Sequence, residues 1–345
     1  SQLGNAVAVG SAAGQTTQGS NGVAVGANSG TNTQGASSTA VGYLAGNDTQ
    51  GASSTAVGVQ AGQTTQGASA VAVGQSSGQS DQGLQAVAVG YQAGQTDQGT
   101  NSVAVGYQAG YTSQNTEATA VGIGAGNSLQ GANATAVGSR AGFTAQGVNS
   151  VAVGSKAGKT TQGQSSVAIG NGAAEVTQGN FAVAMGYLAG NTGQTSNSVS
   201  VGRQAGETNQ GANGIIINST GAALDDTTAG HIHIASSLGS IDFTTAGEWT
   251  ATDQVGTYAL NRLPLDNTWT GTNAFNSAVS FGSNVNLTAA ATTYVQANGQ
   301  NVVVRSYNNT LAGRGVYLGA TDLVTTEFRY PIRAVSGGVD ATGYN

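Results

Sequence analysis

From Val7 to Val201 the chain repeats one short pattern: an apolar residue or Thr, then a small residue, a second apolar residue, and Gly. In Val103-Ala104-Val105-Gly106 the alternation has the period of two that marks a strand, with both Val side chains on one face and Ala104 on the other. The closing glycine recurs at Gly10, Gly26, Gly42 and onward to Gly202, thirteen times at a spacing of sixteen residues without an insertion. A second glycine follows four residues later, from Gly14 to Gly206 with Ala174 as the exception, and a glutamine follows eight residues later, from Gln18 to Gln210. A period of sixteen is too short for a helix pair, and no apolar face with helical spacing runs through it. Each repeat therefore reads as one coil of a parallel β-solenoid. At one strand spacing per coil, about 4.8 Å, residues 5–214 make a rod of roughly 60 Å.

Within a coil, the residue before the motif glycine is Val, Ile or Met throughout, including Ile169 and Met185, and is the expected core. The position two residues earlier also accepts Thr, at Thr39, Thr55, Thr119 and Thr135, and is expected to be less buried. Ala104 and Ala109 head two columns of small residues, where another backbone is expected to come close. Two Val side chains per coil cover too little of the entropy lost in ordering sixteen residues. Packing between chains at the small-residue columns is expected to supply the remainder, and three identical chains closing around one axis give a homotrimer. On this reading Val105 fills the coil and Gln108 lies on the outer surface. The column from Gln18 to Gln210 reads as a ladder of amides hydrogen-bonded along the axis. Sugar binding is the other reading, but a binding site would not need every copy.

Composition narrows the function. Glycine is 56 of 345 residues, yet no collagen triplet is present, and the 38% hydrophobic content is too high for simple disorder. Two His and no Cys exclude zinc fingers, thiol enzymes and disulfide frameworks. Nine Lys and Arg against a net charge of -6 argue against nucleic acid. No apolar run is long enough to cross a bilayer, so no membrane insertion is expected. The start, Ser1-Gln2-Leu3-Gly4, has neither an initiator Met nor a signal peptide and reads as that of a processed or partial piece. Asp225-Asp226 is the one adjacent acid pair and reads as a turn or cap, and neither His belongs to a triad signature, so the chain is expected not to be an enzyme. The column Thr16, Asn32, Asp48, Thr64, Ser80 is too mixed for an ice-binding lattice.

Three regions follow: residues 1–217, the solenoid with a thicker capping strand at Ile215-Ile216-Ile217; residues 218–250, a β-meander; and residues 251–345, a β-rich shaft or receptor-binding region. Both Trp and five of the nine basic residues lie beyond residue 248. Arg and Tyr side chains of the last segment could line a glycan site or edge a shaft. Inside the repeats, Tyr43, Tyr91, Tyr107 and Tyr187 each follow the motif glycine directly and are the candidate binding residues; the plainer reading is a stacked ladder that shields the coil edge. In the meander, His231 and His233 flank Ile232, so alternation puts both imidazoles on one face. Three chains meeting there would offer six nitrogens, a set that suits octahedral iron or nickel on the threefold axis better than zinc.

The repeat Asn101-Ser102-Val103-Ala104-Val105-Gly106-Tyr107-Gln108-Ala109-Gly110 resembles the coils in the head of YadA-like trimeric autotransporter adhesins, and still more the solenoid repeats of bacteriophage tail fibres. The resemblance covers residues 5–217. It implies an all-β homotrimer of left-handed parallel β-rolls. The stretch from Asp266 to Phe275 resembles linker-and-shaft segments of phage tail fibres, and no heptad run of an adhesin stalk is present. His231-Ile232-His233 is similar to the axial iron sites of fibres from contractile-tailed phages. The resemblance thus implies an extracellular virion protein, partnered by other tail or fibre proteins and by a host-surface glycan or protein. A bacterial adhesin head is the alternative, and a polysaccharide-degrading tailspike a more distant one.

Overall fold

The computed structural model describes residues 3–243, 248–253, 257–261, 333–336 and 339–342. Among these it is all-β, a parallel β-solenoid of about fourteen turns. The first eleven coils each carry two strands on opposite walls, and the later ones keep only isolated bridges on the second wall. The Val-Ala-Val strands, from Val7–Val9 to Val183–Met185, stack in parallel with partners sixteen residues apart, as in Val103↔Thr119 and Ala104↔Ala120. The opposite wall is built from short strands ending in the repeat's glutamine, from Thr17–Gln18 to Thr177–Gln178, in the same register.

The interior is the reverse of the expected one. Ala104 and Ala109 are fully buried within the single chain, and their equivalents form the core in two clusters, Ala40 to Ala72 and Ala88 to Ala189. The flanking Val103 and Val105 are only half-buried and face outward, and on the same face Val9 is 57% exposed and Met185 42%. Alternation assigns faces correctly, but the larger face is outside. The reason is the cross-section. Gln114 also points inward, at 1% exposure, and reaches across the coil to donate from Nε2 to the Val103 carbonyl at 2.9 Å. Between two walls that close, a Gln side chain opposite a methyl group fills the space, and a Gln opposite a Val would overfill it. The small residues therefore mark an approach of two walls of one chain, and they are not available for packing between chains.

The buried glutamines form the expected ladder. Nε2 of each donates to Oε1 of the next, 3.0–3.2 Å away, without a break from Gln50 to Gln146 and again from Gln162 to Gln210. Gln108 belongs to another column. It is half-buried at a corner with φ of 51°, and its Nε2 donates to Gln92 Oε1 at 2.9 Å. At the motif glycine a side chain is excluded: Gly106 has φ of +134°, and a Cβ there would lie 2.5 Å from the Gly122 carbonyl oxygen.

Stacking outlasts the sixteen-residue spacing. Val199–Gly202 pairs in parallel with Ile215–Ser219, which pairs in parallel with Ile232–Ser236 at an offset of seventeen, as in Ile215↔Ile232. The segment between these last two strands lies across the solenoid end, with Gly206 donating to the Leu224 carbonyl at 2.7 Å and Gly211 to that of Asp226 at 2.9 Å. The antiparallel meander begins only after it, with Gly239–Phe243, Glu248–Asp253 and Thr257–Asn261. These strands belong to a compact unit spanning Ser1–Ala274. In the second unit, Phe275–Asn345, the described residues form one hairpin, Arg333–Ser336 with Val339–Thr342. The segment from Asp266 to Phe275 and most of the Arg and Tyr residues of the last segment lie outside the described residues.

Candidate functional site

Three places draw attention. The first is the tyrosine column at the corner after the motif glycine. Tyr43, Tyr91, Tyr107 and Tyr187 are all exposed, as their sequence position implied. Tyr91 and Tyr107, on successive coils, stack with ring centroids 5.3 Å apart and planes 10° apart. The guanidinium of Arg203, one coil beyond Tyr187, stands 6.0 Å from the centroid of that ring. A sugar binds an aromatic residue through the ring face, and here one face each of Tyr91, Tyr107 and Tyr187 is already taken by a column neighbour. Of the four, Tyr91 and Tyr107 stack on one another, and Tyr43 and Tyr187 have no tyrosine on an adjacent coil.

The second is the end of the parallel stack. His231 and His233 do share a face, with ring centroids 6.4 Å apart. Register identifies that face. His233 pairs with Ile216, which pairs with Ser200 in the interior column, and Ile216 is 1% exposed. The imidazoles thus continue the inside of the solenoid, whereas Ile232 and Ile234 continue the outward column. Each His has a carboxylate partner. His231 Nδ1 contacts Asp226 Oδ2, and His233 Nδ1 lies 3.1 Å from Asp242 Oδ1. All four side chains are largely buried. Asp225 and Asp226 act as caps, accepting from the Thr208 amide at 2.7 Å and the Thr228 amide at 2.9 Å.

An ion on a threefold axis requires the imidazoles to leave the chain's own interior and face that axis. In the single chain Ile232 and Ile234, not the imidazoles, occupy the outward face. The His pair faces the chain's own interior. Sequence reasoning missed the two aspartate partners, although His233 and Asp242 are equidistant from the Ser237-Leu238 turn, the spacing of a hairpin pair.

The third place is the outward face of the long sheet. Its apolar column passes from the Val strands through Ile217 and Ile234 to an open groove of about 420 Å³ lined by Leu238, Ile241 and Ala251 as well. Groups that could do acid-base chemistry are absent from that lining. Compared with protein-family models, curated proteins and solved structures, the chain matches none.

Proposed function

We propose that this chain is part of a homotrimeric fibre of the phage tail-fibre kind, acting by mechanical reach and host attachment without catalysis. The observation that carries the reading is the outward column of the long sheet. Val, Thr, Ile and Met side chains stand there coil after coil, half-buried or exposed, and end at the groove beside Leu238. A continuous apolar stripe of this length is a surface for association. Because every coil sits in register with the next, a rotation axis parallel to the rod brings like residues of three copies together along its whole length. The chain-to-chain packing thereby moves from the alanine columns to the valine column.

Host contact is assigned to residues 251–345, which hold five of the nine basic residues and Trp269. A host glycan or protein is the partner there, other tail or fibre proteins engage the ends, and the location is the virion surface. A YadA-like adhesin head shares the coil and the trimer. Sequence flanking the chain separates the two, through a particle-attachment domain in one case and a heptad stalk with a membrane barrel in the other.

The mass in solution tests the fibre reading. Light scattering is expected to give three times the chain mass of 33.6 kDa. Val105→Asp combined with Val121→Asp is expected to yield folded monomer. A wild-type chain that is monomeric at micromolar concentration overturns the proposal.

A further inference from the structure

Tyr91 and Tyr107 combine three properties not found together at the other tyrosines of their column. Their rings are stacked at 5.3 Å with planes 10° apart, both are well exposed, at 41% and 50%, and their backbones are locked one coil apart. The lock is explicit. Ala88 pairs with Ala104, the Gly106 amide donates to the Val89 carbonyl at 2.8 Å, and the Gln108 amide donates to the Tyr91 carbonyl at 2.9 Å. Tyr43 has Ala27 and Val59 as its column neighbours, and Tyr187 has Asn171 and Arg203.

We propose that Tyr91 and Tyr107 form an oxidative modification site, at which peroxide and a one-electron oxidant join the two phenols as dityrosine and staple adjacent coils covalently. The chemistry follows from the stacking. Removing one electron and one proton from each phenol gives two phenoxyl radicals, whose spin resides partly on the Cε carbons ortho to oxygen. With the rings nearly parallel and their centroids 5.3 Å apart, rotation about the side-chain torsions brings a Cε of one ring to a Cε of the other. The two radicals pair to form one Cε–Cε bond, and the hydrogens on those carbons then move to the oxygens, restoring both phenols. Overall two Cε–H bonds are lost, and one hydrogen peroxide is reduced to two waters by way of the oxidant. Coupling between free phenoxyl radicals needs a chance encounter, whereas here the partners are held together beforehand, which is the usual source of high effective concentration. The bond adds a covalent closure to coils otherwise joined sideways by hydrogen bonds and packing.

This inference does not depend on the fibre reading, and its test is independent of oligomeric state. The full chain is treated with a haem peroxidase and hydrogen peroxide, then mapped by mass spectrometry for a 91–107 link lighter by two hydrogens. Within the solenoid that link is expected to dominate. Tyr91→Phe and Tyr107→Phe keep the ring stack but remove a phenol, so each is expected to reduce the link to background, while Tyr43→Phe and Tyr187→Phe leave its yield unchanged. The linked protein is expected to unfold at higher denaturant than Tyr107→Phe treated in the same way. Three results overturn the proposal: no 91–107 link under conditions that couple free tyrosine, links formed chiefly between separate chains, or equal unfolding midpoints for the linked protein and the treated variant.

Discussion

At the scale of single residues, the coil is decided by which side chains fit between two close walls. Ala104→Leu places three additional carbons in a fully buried site of the chain's own core, and overpacking of that kind costs about 1–3 kcal/mol. Denaturant melts should show the loss in the monomeric as well as the assembled chain. Val105→Ser, on the half-buried outward face, should leave the monomer midpoint nearly unchanged and act on assembly. Equal effects of the two changes on the monomer would reverse the assignment of faces. Gln114→Leu keeps a similar length but removes the donor to Gln130 Oε1, and an orphaned buried acceptor costs about 1–3 kcal/mol. Gln108→Leu loses one bond at a half-buried corner, so its midpoint should move far less.

At the scale of the coil, its existence, length and register were legible from spacing alone, because thirteen glycines in one phase leave only one way to wind the chain. The inside and outside of the coil were harder to read. Val is the larger hydrophobe and looks like core, but the repeats themselves held the contrary signal. The outward site varies among Val, Ile, Met and Thr, while the glutamine never changes, and tolerance is a property of sites without a tight neighbour. For the candidate sites, alternation was enough to put both histidines on one face. It could not say that this face continues the interior, because that depends on the seventeen-residue offset between Ile215 and Ile232. The two glycine columns also differ in their demands. Gly106→Ala meets the Gly122 carbonyl at 2.5 Å as well as a φ of +134°, so it should lower the melting midpoint steeply. At the second glycine a Cβ meets the end of a side chain instead of backbone, Gln162 Oε1 at 2.7 Å from Gly158, and one coil already carries Ala174 with φ of 49°, so Gly158→Ala should cost less than Gly106→Ala. A comparison of the two melts checks the ranking.

At the scale of the molecule, identical coils in one register make length a free parameter. Removing residues 103–118 deletes one whole coil and brings Ala88 beside Ala120, the same pairing that Ala88 makes with Ala104. The shortened chain should fold with an unchanged circular dichroism signal per residue. Removing only residues 103–110 takes away half a coil and sets a Val-Ala-Val strand over a glutamine wall, so that chain should aggregate or fail to fold. Circular dichroism and solubility of the two deletions decide the matter.

The pairing of each residue with the one sixteen places on also bears on how such a gene can change. Misalignment of tandem repeats during replication adds or removes whole units far more readily than fractions of one. Here a whole unit is the one insertion or deletion that leaves every ladder intact. A lineage carrying this gene can lengthen or shorten the rod in a single mutational event, with intermediate steps removed by misfolding. The length of the solenoid can therefore vary without any change in the coils that remain.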